Sequence, residues 1–337
     1  MTLQAPVTVP VAFVRGMLSG VQARDEACEP FLAEAGIPPE LLGHAGARVT
    51  AAQYAALFRL LIERRADEGL GFLSRPMKLG SFALMARCGM NAPTLELAIR
   101  RMAEAFVLLQ DDFMLTTRLG GTQAALVLVA NDPHASQPVF LHEMLLRVLW
   151  RLVAWLAGGR LPATRFDFAF PAPAHAASYG KVFPAPLAFG CTASAVWFEA
   201  GWLRSPLQCS EAALRAFLAN AQANILVPQR ANDVISTRVR HYLQRTQPAW
   251  PDLAATAEAL HMSTATLQRR LALEGTSFQA LKDALRRDIA ILRLNASSMP
   301  MAALAQDLGF TDSAAFQRAF KGWTGSAPGA YRRKPLP

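Results

Sequence analysis

The sequence has few cysteines, no apolar run long enough to cross a bilayer and no secretion signal at its start. Its four cysteines are scattered, and no two of them form a Cys-x-x-Cys pair. This spacing argues against a zinc ribbon or a disulfide framework and is typical of a reducing compartment. The most apolar stretch, Met144 to Gly158, is short and is interrupted by Arg147 and Arg151. The N-terminus also lacks the basic segment and apolar core of a signal peptide. The sequence therefore predicts a cytoplasmic protein with no membrane partner.

Motifs of catalysis and of metal or cofactor binding are lacking as well. The sequence contains no Gly-x-Ser-x-Gly or Gly-x-Cys-x-Gly nucleophile elbow, no glycine-rich phosphate loop and no His-Glu-x-x-His motif. Its cysteines are not arranged as in the DNA-alkyl acceptor proteins. We therefore expect a protein that is not an enzyme and that carries no metal and no cofactor.

Positive charge is abundant but unevenly placed. The formal net charge is +9. From Gln229 to the end, 15 lysines and arginines stand against 8 acidic residues, which leaves +7, whereas the first 228 residues hold 19 against 17, which leaves only +2. An arginine-rich composition alone would not concentrate the excess in one segment. The segregation indicates that double-stranded DNA binds the C-terminal part.

The last forty residues read as two helices around a tight corner. Leu304 and Leu308 face a stripe that begins at Phe316, and Leu-Gly-Phe at residues 308–310 forms the corner between them. Asp312 can cap the second helix. That helix leaves polar residues pointing outward, which suits contact with DNA: Ser313, Gln317, Arg318 and Lys321.

A second copy of this pattern lies upstream. Leu260 and Met262 match Leu308 and Phe310 at an offset of about 48 residues, and Arg269 matches Arg318 at about 49. A linker helix is predicted from Ser277 to about Leu294. Capping residues and helix breakers are predicted at every boundary: Asp252, Ser263, Ser277 and Asp312 as N-caps, Gly275 and Gly325 as stops, and Pro328 as the start of a last short helix.

The paired pattern, with Leu-Gly-Phe and the terminal Ala-Pro-x-x-Tyr-Arg-Arg, resembles the C-terminal signature of AraC/XylS-type transcription regulators. The resemblance implies an all-α domain over residues 229–337, with two helix-turn-helix units joined by the linker helix. It also implies that Arg286 braces the two units, against Asp312, rather than contacting DNA. With phosphate contacts expected at Lys321 and the start of the linker helix, the predicted DNA-binding residues are Ala265, Gln268, Arg269, Thr276, Ser277, Ser313, Ala314, Gln317, Arg318 and Lys321.

Residues 1–228 read as a mixed α+β domain. Alternation around Gly120-Gly121 predicts a hairpin, and Thr50 and Pro93-Thr94 can start helices at Ala51 and Leu95. Further helices are expected at Phe31–Leu42 and Leu141–Ala157, and further strands at Arg165–Phe170, Leu187–Cys191 and Ala195–Glu199. Segments such as Phe31–Leu42, Gly80–Met85 and Phe168–His175 resemble the arabinose-binding-type N-terminal domain of one branch of AraC-type regulators.

This second resemblance implies ligand sensing and dimerisation. The chain is therefore expected to be a ligand-responsive activator and a homodimer that binds promoter or operator DNA, with a small-molecule effector of unknown identity and room for a contact with RNA polymerase. The alternative is a ligand-independent DNA-binding regulator whose N-terminal domain only dimerises or binds a protein partner.

No ligand-binding residue is assigned from the sequence. Glu143, Arg147 and Arg151 follow one another at helical spacing and allow two interpretations. They are either a buried site whose arginines bind a ligand carboxylate, or the solvent face of a core helix with an ordinary Glu143–Arg147 ion pair. His175 and Tyr179 follow a proline-rich loop and are expected either on the surface or at a pocket wall.

Overall fold

The structure is a computed structural model and describes residues 8–132, 138–159, 161–207, 209–219 and 235–332. The chain divides into two compact units. The first unit comprises residues 1–11, 32–54 and 229–337, and the second unit comprises residues 12–31 and 55–228. Two N-terminal segments thus belong with the C-terminal helices, a grouping that the sequence did not predict. The predicted domain boundary between residues 228 and 229 lies outside the described residues and stays a prediction.

The second unit contains a five-stranded sheet. Its spatial order is β3-β4-β7-β5-β6, and all neighbours are antiparallel except β5 and β6. The predicted hairpin is confirmed, since Gly120 pairs with Gln123 and Gly121 adopts φ +62° in the turn. The strands are β3 (Phe113–Gly120), β4 (Gln123–Ala130), β5 (Arg165–Asp167), β6 (Leu187–Ala188) and β7 (Ser194–Glu199).

Seven α-helices are described before residue 220. Their bounds are α1 (Val11–Gln22), α2 (Glu29–Glu34), α3 (Ala51–Arg65), α4 (Ser81–Met90), α5 (Leu95–Leu109), α6 (Val139–Leu156) and α7 (Glu211–Ala219). Thr50 and Gln53 form a reciprocal capping box at α3, because each side chain accepts from the other residue's backbone N–H. Almost every residue of α6 is buried, including the charged side chains of Glu143, Arg147 and Arg151. None of the described helices is long and apolar enough to cross a membrane.

The remaining helices belong to the first unit. They are α8 (Ile235–Arg245), α9 (Leu253–Ala259), α10 (Thr264–Leu273), α11 (Phe278–Ala296), α12 (Met301–Asp307) and α13 (Ser313–Thr324). All four predicted caps are confirmed, because the side chains of Asp252, Ser263, Ser277 and Asp312 each accept from the backbone N–H three residues ahead. Together with the sheet above, these helices confirm the predicted architecture of an α+β part and a part with two helix-turn-helix units.

A short two-stranded antiparallel sheet that the sequence did not predict completes the first unit. Strand β1 (Thr8–Pro10) pairs with β2 (Arg48–Thr50) and packs with the linker helix α11. Asp288, on the buried side of α11, accepts a hydrogen bond from Thr8 Oγ1 at 2.7 Å. Arg48 in turn donates from Nε to the same Thr8 hydroxyl at 2.7 Å. Strand β1 is thus bound to helix α11, 280 residues away in sequence, by buried hydrogen bonds.

Asp288 is the acid on which this buried cluster depends. Its carboxylate lies 3.0 Å from Arg287 Nη2 and 3.7 Å from Arg240 Nη1. Burial, followed by the nearby charge of Arg287, lowers the pKa of Arg48 to about 10, and Asp288 acts against that shift. Positive charge is therefore in excess within the cluster, and the carboxylate is what makes its burial tolerable.

Replacing Asp288 should make the first unit easier to unfold. We expect Asp288→Ala to lower the free energy of unfolding by about 3–5 kcal/mol, because Arg240 loses its carboxylate while it remains buried and the half-buried Arg287 loses the same partner. Asp283→Ala is the matched control, since Asp283 lies on the same helix, is half-buried and accepts only from Gln279 one turn away in the described contacts. Urea titration of the full chain followed by circular dichroism measures both. Equal losses in the two variants would contradict the role given to Asp288.

Candidate nucleic-acid interface

The two helix-turn-helix units have the same corner geometry. In α9–α10 the backbone N–H of Met262 donates to Ala257 O at 3.0 Å, and in α12–α13 that of Phe310 donates to Ala305 O at 2.9 Å. The residue before each donor has a positive φ, +57° at His261 and +72° at Gly309. These are the bonds of a Schellman ending, which turns the chain sharply after a helix. The predicted repeat, at an offset of 48 residues before the turn, is therefore present in the backbone hydrogen bonds.

Each second helix has one buried and one exposed face. Leu267 and Leu271 of α10 are buried, as are Phe316 and Phe320 of α13. The predicted DNA-binding residues lie away from these faces. Ala265, Gln268, Arg269, Ser277, Ala314, Gln317, Arg318 and Lys321 are exposed, and Thr276 and Ser313 are half-buried. The structure thus leaves all ten in positions open to a partner, while their contact with DNA stays a prediction.

The start of α11 offers a second kind of contact. Ser277 accepts the backbone N–H of Ala280 at 3.2 Å, so its hydroxyl is used as the N-cap. The other amide groups of the first turn have no partner within the helix, and the helix dipole adds partial positive charge there. Thr276 and Ser277 are therefore placed where backbone amides suit a phosphate.

Arg286 of α11 contacts both helix-turn-helix units. Its guanidinium lies over the ring of Trp250 at 5.1 Å and over the ring of Phe310 at 4.9 Å, and Nη2 donates to Gly309 O at 3.4 Å. Trp250 precedes the first helix-turn-helix unit, and Phe310 lies at the corner of the second helix-turn-helix unit. The predicted bracing role is therefore supported, but the predicted partner was wrong: Asp312 caps α13 by accepting the Ala315 N–H at 2.7 Å.

Further bonds reinforce this brace. Trp250 Nε1 donates to Asp307 O at 2.9 Å, and Lys282 Nζ donates to the carbonyls of Trp250 and Pro251 at 3.1 and 3.0 Å. Arg293 pairs with the side chain of Asp307. None of these partners was predicted, because a single tryptophan before a helix start gives no periodic signal. Its position immediately before Pro251-Asp252 was the available clue.

Gly309 is required at the corner for two independent reasons. Its φ of +72° is in the left-handed region. In addition, a Cβ atom there would lie 2.7 Å from Trp250 Cδ1 and 3.1 Å from Arg286 Nη2. A side chain at this position would push apart the stacked rings and guanidinium.

The charged residues of α6 in the second unit are buried, so their interpretation as a solvent face is wrong. Glu143, Arg147 and Arg151 are only 4%, 6% and 8% exposed. Glu143 accepts from the Tyr179 hydroxyl and lies 3.0 Å from His175 Nε2.

Tyr179 is fully buried, which contradicts a surface position for it. Burial, and then the adjacent Glu143, raises the pKa of the Tyr179 phenol. The Arg147 guanidinium donates to the carbonyl of Val182. These residues form a polar network inside the domain.

Comparison with known proteins agrees with this architecture. Residues 27–207 match the family described as the arabinose-binding domain of AraC transcription regulator, N-terminal, and residues 256–334 match a helix-turn-helix domain. The chain is 27% identical to the ornithine utilization regulator of Pseudomonas aeruginosa over 97% of each chain. It is 35% identical to the transcriptional regulator VqsM of the same organism over 28% of this chain and 29% of that protein.

Among solved structures, the transcriptional regulator CdpR of Pseudomonas aeruginosa aligns over 95% of this chain and 98% of its own. The two chains are 21% identical, with a TM-score of 0.33.

Substitution at the corner should separate the two requirements on Gly309. We expect Gly309→Ala to destabilise the first unit by about 1–2 kcal/mol from the left-handed backbone and by about 1–3 kcal/mol more from overpacking against Trp250. Gly275→Ala is the matched control, because Gly275 has φ +68° but no atom within 4 Å of the position that a Cβ would occupy. Chemical denaturation of both variants measures the difference. If the two variants lose the same stability, the close approach at Gly309 has no energetic consequence.

Proposed function

The chain belongs to the AraC family of transcription regulators, and on that premise we propose that each monomer binds two successive major grooves of one promoter site. The observation that carries this proposal is the pair of recognition helices, α10 and α13. Each presents an exposed Gln-Arg pair at the same place in the helix, Gln268-Arg269 and Gln317-Arg318. Equivalent positions on two repeated units are suited to contacting two boxes in one DNA site.

The side-chain chemistry supports direct contact with base edges. An arginine can donate two hydrogen bonds to guanine O6 and N7, and a glutamine can pair with adenine N6 and N7. Ala265 and Ala314 lie one turn earlier and are small, so they suit a thymine methyl or no contact. We assign base recognition to Gln268, Arg269, Gln317 and Arg318.

Phosphate contacts position the protein without conferring sequence preference. Lys321 is exposed near the C-terminal end of α13, and Thr276 and Ser277 are at the start of α11. We assign the phosphate contacts to these residues. The +7 charge of residues 229–337 favours the same partner.

The brace around Arg286 supports a fixed spacing of the two boxes. Because the linker helix, Trp250 and Phe310 are packed on one guanidinium, the two recognition helices have little freedom to move separately. Successive major grooves are about 34 Å apart along the duplex. Since the two helices differ in sequence, one monomer should recognise an asymmetric site.

We further propose that the protein is a ligand-responsive activator and a homodimer. The match of residues 27–207 to the N-terminal domain of AraC regulators supports a sensing and dimerising role for this part. A dimer would then bind two copies of the asymmetric site, arranged as direct repeats. Contact between the bound dimer and RNA polymerase would then give activation.

Arg269→Ala and Arg318→Ala should each weaken binding by about 1–3 kcal/mol and relax the preference in one half of the site only, because each removes one bidentate donor. Arg270→Ala is the matched control, with the same loss of charge on α10 but a side chain that lies beside Arg238 and Glu274. Selection of bound sequences from a randomised duplex pool, run on the wild type and each variant, measures the preference. An unchanged motif in both Arg269 and Arg318 variants would exclude direct recognition by these residues.

Lys321→Ala should weaken binding to all sequences about equally, because it removes a phosphate contact. The slope of log affinity against log salt should become less negative by about 1. Lys78→Ala is the control, since Lys78 is an exposed lysine of the second unit, and it should leave the slope unchanged. Fluorescence anisotropy with a labelled duplex across a salt series measures both. A selective loss of one base preference in Lys321→Ala would instead assign this lysine to base recognition.

A further inference from the structure

The second unit contains an apolar cavity, partly open to solvent, that none of the predicted DNA-binding residues lines. Its volume is about 260 Å³, and it is lined from α3, α4, α5, α6 and α7. The wall is formed mainly by large apolar side chains, among them Phe58, Phe82, Phe106, Met144 and Leu218. Every described residue that lines it lies within the second unit.

A concave, mostly apolar surface is typical of a small-molecule site. An engineered apolar cavity of about 150 Å³ holds benzene. By that proportion, the cavity in the second unit accommodates an apolar body of about ten non-hydrogen atoms.

One charged group, Glu68, interrupts the apolar wall. Its two carboxylate oxygens accept the backbone N–H groups of Gly80 and Phe82, both at 2.7 Å. These bonds fix the carboxylate in place and leave each oxygen able to accept once more. Among the residues that the structure describes, no lysine, arginine or histidine lines the cavity. The wall therefore offers negative charge and hydrogen-bond acceptors, and it disfavours a ligand that carries a carboxylate.

The desolvation of Glu68 favours the same ligand chemistry. Burial raises the pKa of this carboxyl, the two backbone hydrogen bonds oppose that shift, and Asp67 adds to it. A cationic donor beside the carboxylate would replace part of the hydration that burial removes. An ammonium group is such a donor.

Helix α7 connects the cavity wall to the rest of the chain. Leu218 lines the cavity, and the preceding Phe217 stacks on Trp155 with ring centroids 4.7 Å apart. Phe217 also lies 6.1 Å from the ring of Phe82, another wall residue. Along the chain, α7 is the last helix described before α8 of the first unit. An occupant of the cavity would thus contact the helix that leads to the DNA-binding part.

We propose that this cavity is the effector site and that the effector is a small apolar amine, with its body against the aromatic and methionine side chains and its ammonium group on Glu68. This inference rests on the proposed ligand response, because it names the site and the chemical class for it. The buried arginines of α6 have no part in the site.

Matched probes on the full chain test the chemistry of the ligand. Nonylamine, nonan-1-ol and nonanoic acid have nearly the same body and differ in the head group. We expect nonylamine to raise the Tm by about 5 °C at a concentration a hundredfold above its Kd. At that same concentration the alcohol should raise the Tm less, and the acid least. A Tm rise with nonanoic acid equal to or larger than that with nonylamine would overturn the assignment of an amine.

Two variants test the location of the site. Glu68→Gln should lower nonylamine affinity at least about tenfold and abolish the preference for the amine over the alcohol, whereas Glu63→Gln, an exposed acid on α3, should change neither. Ala83→Phe should fill the cavity from a half-exposed position of α4 and abolish binding of all three probes. Undiminished nonylamine binding in Ala83→Phe would place the ligand elsewhere and overturn the proposal.

The proposed DNA-binding function can fail independently of the effector site. DNA binding by the same preparations is measured by anisotropy. If no probe shifts the Tm while the protein binds its selected duplex, the cavity proposal is wrong and the DNA-binding proposal stands. If nonylamine binds through Glu68 but no duplex is ever selected, with or without amine, the effector site stands and the DNA-binding proposal is wrong.

Discussion

The guanidinium of Arg286 fixes the geometry on which recognition of two boxes depends. It contacts Trp250 at the entrance to the first helix-turn-helix unit and Phe310 at the corner of the second, while its own backbone belongs to the linker helix. A planar, delocalised cation can stack on two aromatic faces and still donate in its own plane, here to Gly309 O. A lysine in its place would supply charge but no stacking surface. One side chain of the linker helix thus contacts both helix-turn-helix units.

The same part of the molecule also depends on residues far away in sequence. Asp288 neutralises buried arginines that strand β2 and helix α8 bring into the core, Arg48 and Arg240. Gln53, at the start of α3, adds a hydrogen bond to Asn295 at 3.0 Å. Residues 229–337 alone would therefore lack part of their own polar core. A fragment cut at this boundary is a poor substitute for the full chain in binding studies.

Local signals allowed the sequence to predict much of the C-terminal half. Asp252, Ser263 and Asp312 satisfy amides only three residues away, so their roles are readable from short segments. Strands of three residues, such as β1 and β2, are too short to show alternation and were not predicted. The pairing of Thr8 with Asp288 and the stack on Trp250 depend on folding over long separations. Nothing in local spacing encodes such contacts.

Buried charge on α6 shows why helical spacing alone does not locate a ligand site. Glu143, Arg147 and Arg151 recur every four residues, a pattern equally typical of a solvated helix face, and only their burial distinguishes the two cases. In the folded unit the Glu143 side chain meets Tyr179 and His175, and Arg147 meets the carbonyl of Val182.

His142, which precedes Glu143 and points to another side of α6, lies 3.0 Å from the Ser194 hydroxyl. Burial lowers the pKa of His142 to about 4, which keeps the imidazole neutral. A rotation of α6 would leave these polar groups buried without partners, so their bonds fix the orientation of the helix about its axis. Four apolar residues of α6 line the apolar cavity: Met144, Leu145, Val148 and Leu149. The polar side of α6 thus serves to orient the helix, and the space for a ligand lies on the side where the sequence shows only ordinary apolar residues.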